Sequence, residues 1–222
     1  MMFLLKIITV LLPWSLKRLM LVRFFRYEIH PSARIGLSWI YPKKLVMDTN
    51  SKIGHFNVAV HLDLIFIEKY SSIARGNWIT GFPTNTNSKH FLHQEDRKSN
   101  LIIGQHSAIT KNHHIDCTNE IQIGRFVTIA GYSSQLLTHS INLELNIQDS
   151  YPITIGDYCF VGTASTILGG ASLPAYSVLG ANSLLNKSFS NTYRLYGGNP
   201  AKEIKELSKE FKYFNREVGF VY

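Results

Sequence analysis

The chain has 222 residues, 45% of them hydrophobic and 17% charged, with a formal net charge of +8. That is globular composition for one domain with short terminal additions, and it excludes a disordered chain. The charge suits an anionic partner such as a lipid surface, a phosphorylated cofactor or nucleic acid, but no RNA- or DNA-reading signature accompanies it, which places nucleic acid last.

Residues 1–30 are strongly apolar, with basic punctuation at Lys6, Lys17, Arg18, Arg23 and Arg26 and no acidic residue before Glu28. A membrane-spanning helix needs about 20 apolar residues in a row. Residues 7–16 offer a shorter run interrupted by Pro13, and no small-residue cleavage site of the secretory kind follows. Two compatible readings remain. One is an interfacial segment with Trp14, Phe24, Phe25 and the leucines in lipid and the basic residues at anionic head groups. The other is a helical cap on the open end of a solenoid.

From residue 31 an aliphatic period of six sets in. Ile35-Gly36 and Ile53-Gly54 lie three hexapeptides apart, and the period continues through Ile67, Ile73 and Ile79. Residues 81–100 break it with polar and turn-forming side chains, an excursion long enough to be functional or partner-facing. It resumes at Ile103, Ile109, Ile115 and Ile121, then shifts by two to Ile123 and Ile129 before a second excursion near 136–152. The most regular stretch follows, with Ile155, Val161, Ile167, Leu173, Leu179 and Leu185, and glycine after three of them at Gly156, Gly162 and Gly180.

An α-helix repeats apolar residues at about 3.6 and a half-buried strand at 2. A strict six therefore means short flat strands separated by corners, the pattern of a parallel β-helix and an all-β solenoid over 31–198. Residues 199–222 read as a C-terminal amphipathic helix, with Ile204, Leu207, Phe211, Phe214 and Val218 on one face and Pro200 in its first turn. Cys117 and Cys159 lie among small residues and read as buried thiols, compatible with a reducing cytoplasm.

The period, the Ile-Gly and Val-Gly openings, the segment from Gly180 to Ser183 and the GGNPAK segment at 197–202 resemble the left-handed β-helix acyltransferases. These hexapeptide-repeat enzymes move acetyl groups from acetyl-CoA. The resemblance implies the left hand of the coil, a homotrimer with active sites between adjacent β-helices, and a catalytic histidine at His139, in a similar Thr-His setting. Imidazole, with a pKa of about 6.5, is a usable general base at neutral pH for an attacking hydroxyl or amine.

His114 and Asp116 flank inward Ile115, so both point outward beneath the excursion that carries His139. Either one orients the imidazole or binds acceptor hydroxyls, or both are polar residues satisfied at a coil corner. Glu144 and Asp149 have weaker claims. For acetyl-CoA, the resemblance maps Thr163 and Ala181 onto small residues that let pantetheine approach the backbone. It maps Asn186 and Lys187 onto a Thr-Lys pair, and Lys202 and Lys205 onto basic residues that neutralise the cofactor phosphates. Asn182 and Asn186 depart from the family's usual Gly and Thr. A metal is not expected, because His106, His113, His114 and His139 show no repeat spacing of the kind zinc-binding β-helices use.

The function expected is acetyl-CoA-dependent O-acetylation of a sugar in a cell-surface polysaccharide or its lipid-linked precursor, in the cytoplasm at the inner face of the membrane. An N-acetyltransferase acting on an amino sugar nucleotide is the alternative within the class, and a non-catalytic β-helix binding scaffold is the alternative outside it.

Overall fold

The computed structural model describes residues 2–221. Among them the chain winds as a left-handed parallel β-helix whose short strands stack into three sheets of seven, nine and seven strands. The six aliphatic positions from Ile155 to Leu185 all point inward, none more than 1% exposed. Burying each such side chain contributes about 1.5–3 kcal/mol relative to exposure. Ile35 pairs in parallel with Ile53, and Ile155 with Leu173, 18 residues on in each case. Where the phase shifts, Ile103 pairs with Ile123, 20 residues on. The first sheet explains the extra two residues: its middle strands carry two inward positions each, such as Leu101 with Ile103 and Ile121 with Ile123.

The solenoid starts a little before the expected boundary, with Glu28–Ile29 as the first strand. Below it α1 (Met2–Leu11) and α2 (Trp14–Phe25) close the open end. Leu21 joins the core, and Trp14 and Phe25 pack against it rather than facing outward. Lys17 is buried and donates to the Gly36 carbonyl at 2.7 Å, and Arg18 donates to the Ile29 carbonyl. Two basic residues expected at lipid head groups thus cap backbone carbonyls that the first coil leaves open.

The C-terminal helix does not form. Lys202–Glu206 is a strand, antiparallel to Arg194–Gly197, and Lys212–Asn215 is one 3₁₀ turn. The reason is the sheet edge. A helix over 201–218 would leave the outer strand's N–H and C=O groups unpaired, whereas the hairpin pairs them and lets Arg194 bridge Glu203 and Glu206.

Beyond it the tail descends along a stack of rings at the corner between the first and second sheets. Tyr70, His106, Phe126, Tyr158, Tyr176 and Tyr193 all have φ between 55° and 60°, and successive centroids lie 4.6–5.1 Å apart. That spacing is the interstrand distance itself. Ring stacking offsets the roughly 1 kcal/mol that each left-handed bulky residue costs. Arg216 lies over Phe126 and Tyr158, and Phe214 meets Tyr176 and Tyr193 edge-on.

Another corner holds a buried polar ladder. Asn57, Asn77, His113 and Ser134 are linked coil to coil: Asn57 Oδ1 accepts from Asn77 N–H, Asn77 Oδ1 from His113 N–H, and His113 Nδ1 from Ser134 N–H. His113 is 2% exposed, and burial pushes its pKa down to about 4 against the opposing hydrogen bond from Ser134. An unfolded histidine titrates at about 6.5, so the unfolded chain binds more protons between these values. Stability is therefore complete above pH 6.5 and falls, by on the order of 3 kcal/mol, as pH drops toward 4. Replacing His113 with asparagine, the residue at the two preceding rungs, is expected to flatten that part of the curve. Urea midpoints measured against pH check it, and an unchanged slope contradicts it.

Candidate active site

The third sheet brings the expected catalytic residues together. Asp116 ends the strand His114–Asp116 and sits one coil below Leu137, its register partner. After Leu137 the chain leaves the coil and returns through an antiparallel hairpin, His139–Asn142 with Ile147–Ser150. The excursion thus begins later than expected from the period, since Leu136 is fully buried within the coil. Thr138 fixes the departure: its Oγ1 donates to the Asp116 carbonyl at 2.8 Å and accepts from Asn119 N–H. His139, next in line, is thereby directed back over Asp116.

The His139 Nδ1–H donates to Asp116 Oδ2. The other carboxylate oxygen accepts from Thr118 N–H at 3.0 Å and from its hydroxyl at 2.7 Å. Asp116 is 5% exposed. Burial raises its pKa, but the hydrogen bonds from His139 and Thr118 outweigh burial and hold it below the ordinary carboxylate value. In return, the bond to Asp116 raises the pKa of His139 against partial desolvation. With Nδ1 engaged, Nε2 carries the free lone pair of the neutral ring.

The pair borders an open cavity of about 400 Å³, lined also by Thr80, Phe82, His90, Phe91, His114 and Gln148. His114 lines it without a side-chain hydrogen bond among the described residues, so of the two residues flanking Ile115 it is Asp116 that bonds to the imidazole. The first excursion forms one wall. Phe91 meets the His139 ring edge-on at 6.3 Å. Arg97, buried beneath, lies 4.7 Å from the Phe91 ring centre and 5.7 Å from that of Phe82 while donating to the carbonyls of Phe82, Pro83 and Thr118.

Gln94 joins the two excursions. Its amide donates to Asp149 Oδ1 at 2.7 Å and to the Ser150 carbonyl at 2.8 Å, and accepts from the Ser150 hydroxyl at 2.6 Å. Ser150 is the register partner of His139, so this grip sets where the imidazole stands. Asp149 therefore braces the hairpin, and Glu144 lies exposed at its tip. A Gln94→Ala variant is expected to lose about tenfold in kcat with KM for the acyl donor unchanged, since loosened positioning acts on the reacting geometry. An equal loss in a thermal melt with kcat intact contradicts that role. Phe82, His90, Phe91, Gln94 and Arg97 were not legible as site residues, because the excursion has no period to place them.

The residues expected to hold acetyl-CoA lie higher on the solenoid. Thr163 and Ala181 fall on the corner from the second to the third sheet, where Thr163 Oγ1 donates to the Tyr132 carbonyl at 2.9 Å. A Cβ added at Gly162 would meet Ala181 N at 2.5 Å, so the corners there are tightly stacked. Asn186 and Lys187 follow the strand Leu184–Leu185, past the opposite edge of the third sheet. Leu184 bonds to both ends of the turn that precedes Lys202, accepting from Ala201 N–H and donating to the Gly198 carbonyl. Lys187, Lys202 and Lys205 are exposed and form no ion pair among the described residues. The nearby Glu203 and Glu206 are engaged by Arg194, and the Lys187 ammonium lies 5.2 Å from the centre of the Phe189 ring.

Both cysteines are fully buried, and burial pushes the Cys159 thiol up to about 12 and that of Cys117 well above its ordinary value. Neither is available as a nucleophile at neutral pH.

No protein-family profile matches the chain, and no curated protein matches it significantly. Solved structures do. The polysialic acid O-acetyltransferase OatWY aligns over 81% of this chain and 84% of its own, with 18% identity and a TM-score of 0.58. The hexapeptide-repeat acetyltransferase VCA0836 of Vibrio cholerae aligns over 92% of this chain and 87% of its own, with 21% identity and a TM-score of 0.50. At these identities the likeness establishes the shared left-handed β-helix.

Proposed function

We propose that the protein transfers an acetyl group from acetyl-CoA to a hydroxyl of a sugar in a cell-surface polysaccharide or its lipid-linked precursor, with His139 as general base. The observation that carries this is the His139–Asp116 pair, held at the edge of an open cavity with Nε2 unengaged among the described residues. Its wall combines the rings of Phe82 and Phe91 with the polar groups of His90, His114, Thr80 and Gln148. That mixture suits a sugar, whose C–H faces pack on aromatic rings while its hydroxyls take hydrogen bonds.

In this reading acetyl-CoA supplies an activated thioester. Thr163 and Ala181 leave room for the pantetheine beside the stacked corner, Asn186 offers it an amide, and Lys187, Lys202 and Lys205 attract its phosphates. His139 Nε2 takes the proton of the acceptor hydroxyl as its oxygen attacks the thioester carbonyl, and the Asp116 carboxylate stabilises the imidazolium that results. The C–S bond then breaks, the acetyl group stays on the acceptor as an ester, and CoA leaves as a thiolate that takes the proton back from the imidazolium. No covalent enzyme intermediate is required, in keeping with the buried thiols. The protein works in the cytoplasm as a homotrimer, the assembly that the resemblance implies.

Transfer to an amino sugar nitrogen is the second reading, because the same base serves an amine. Incubation with labelled acetyl-CoA and a panel of sugar acceptors separates the possibilities. Alkali-labile label on a glycan is the ester expected here. Alkali-stable label is the amide of an N-acetyltransferase, and acceptor binding without transfer is the mark of a scaffold.

A further inference from the structure

The first N-terminal helix has its polarity reversed. A helix on a protein surface turns apolar residues inward and polar ones to water. In α1 the polar side face is turned to the protein: Thr9 is buried, and Lys6 lies with its ammonium 5.0 Å from the centre of the Tyr41 ring. The outward stripe is Leu4, Ile7, Ile8 and Leu11, spaced as one helical face and 39% to 72% exposed. In α2, Leu16 and Leu19 are exposed as well, at 50% and 61%. Arg23 and Arg26 at its end are exposed and form no ion pair among the described residues.

We propose that this helical pair docks on an anionic lipid surface, the apolar stripe entering the interface and Arg23 and Arg26 meeting head groups. The charge pattern selects this occupant. No carboxylate precedes Glu28, which is paired with Lys44, so a second copy apposing the same patch would bring guanidinium groups together without a counter-charge. Nucleic acid would meet the arginines but leave the aliphatic stripe in water. The helices are ten and twelve residues long, and no helix of the described residues is long and apolar enough to cross a membrane. An interfacial seat is what such lengths permit.

The docking also sets a height. The strand of Asp116 is the third above the first strand of its sheet, about 14 Å along the axis at a strand spacing of about 4.8 Å. That holds the cavity near the head-group region, within reach of an acceptor carried on a lipid. The docking itself rests on the helices alone and is independent of the acyl-transfer reading.

The test is co-sedimentation of the purified full chain with vesicles of phosphatidylcholine, with and without phosphatidylglycerol. Pelleting is expected with the anionic vesicles and markedly less with the neutral ones. A Leu4→Ser/Leu11→Ser variant should lose binding to both. An Arg23→Gln/Arg26→Gln variant should lose about fivefold in partition per arginine on the anionic vesicles only. Circular dichroism and sedimentation velocity without vesicles should match the parent for both variants. Absence of pelleting, equal pelleting of the folded variants, or an oligomer of the parent that the serine variant dissociates overturns the proposal.

Discussion

Replacing His139 with alanine is expected to reduce kcat for acetyl transfer by about a hundredfold or more, the scale of a lost general base, with the fold and acyl-donor affinity retained. The expectation follows from geometry. His139 is side-chain exposed to 44% and stands on a hairpin that packs on the solenoid without belonging to it. The buried aliphatic column does not depend on its ring. The protein loses Nε2, the ring nitrogen that has no hydrogen-bond partner among the described residues. Near-normal turnover in a variant with an unchanged melting profile refutes the assignment.

The second large effect belongs to Asp116. An Asp116→Asn change keeps the size of the side chain but removes the charge that accepts from Nδ1, and the amide nitrogen can turn its own donors toward the ring. Both the orientation and the stabilisation of the imidazolium suffer, so kcat is expected to fall by about a hundredfold or more. The pH profile separates this from mere structural damage. In the proposed role His139 works only when neutral, so the rate is expected to rise with pH through its pKa, which the Asp116 hydrogen bond places above the ordinary histidine value. Without that bond the rising limb should move to lower pH while the plateau drops. A lowered plateau with an unmoved limb would mean that Asp116 does not act through the imidazole.

The same bond couples to stability with opposite signs at its two ends. The raised pKa of His139 contributes stability that is present below the unfolded histidine value and lost as pH rises through the folded one. The depressed pKa of Asp116 contributes stability above the unfolded carboxylate value, lost as pH falls through the folded one.

The fold was readable from sequence because its repeat is short and every sixth residue has the same task. Ile155, Val161, Ile167, Leu173, Leu179 and Leu185 had only one side of the coil to face, and all are buried. The pairing of His139 with Asp116 was half legible. Alternation about Ile115 placed both His114 and Asp116 outward, but the choice between them depended on how Thr138 turns the hairpin, which no period encodes. The wall built by Phe82, His90 and Phe91 is held by Arg97, whose partners are backbone carbonyls, and such bonds leave no mark in residue spacing.

The C-terminal segment misled for a different reason. Ile204, Leu207, Phe211, Phe214 and Val218 do fit a helical face, yet Leu207 and Phe214 are buried while Ile204, Phe211 and Val218 remain exposed at 59%, 48% and 47%. An open sheet edge and a column of stacked rings outcompeted a short helix that would have left the outer strand unpaired. At the N-terminus, composition announced apolar and basic character, but only the fold distinguishes Lys17 and Arg18, spent on capping carbonyls, from Arg23 and Arg26, which face outward.

The proposed function requires direct acetyl transfer at the cavity beside His139. The most direct test is the release of free CoA thiol by the purified protein given acetyl-CoA, with and without a glycan acceptor, followed by intact-mass measurement of the protein. The expected result is thiol release that requires the acceptor, matches the acetyl found on glycan hydroxyls, and leaves the protein mass unchanged. Thiol release without acceptor accompanied by an acetylated protein, or no release with any acceptor, would contradict it.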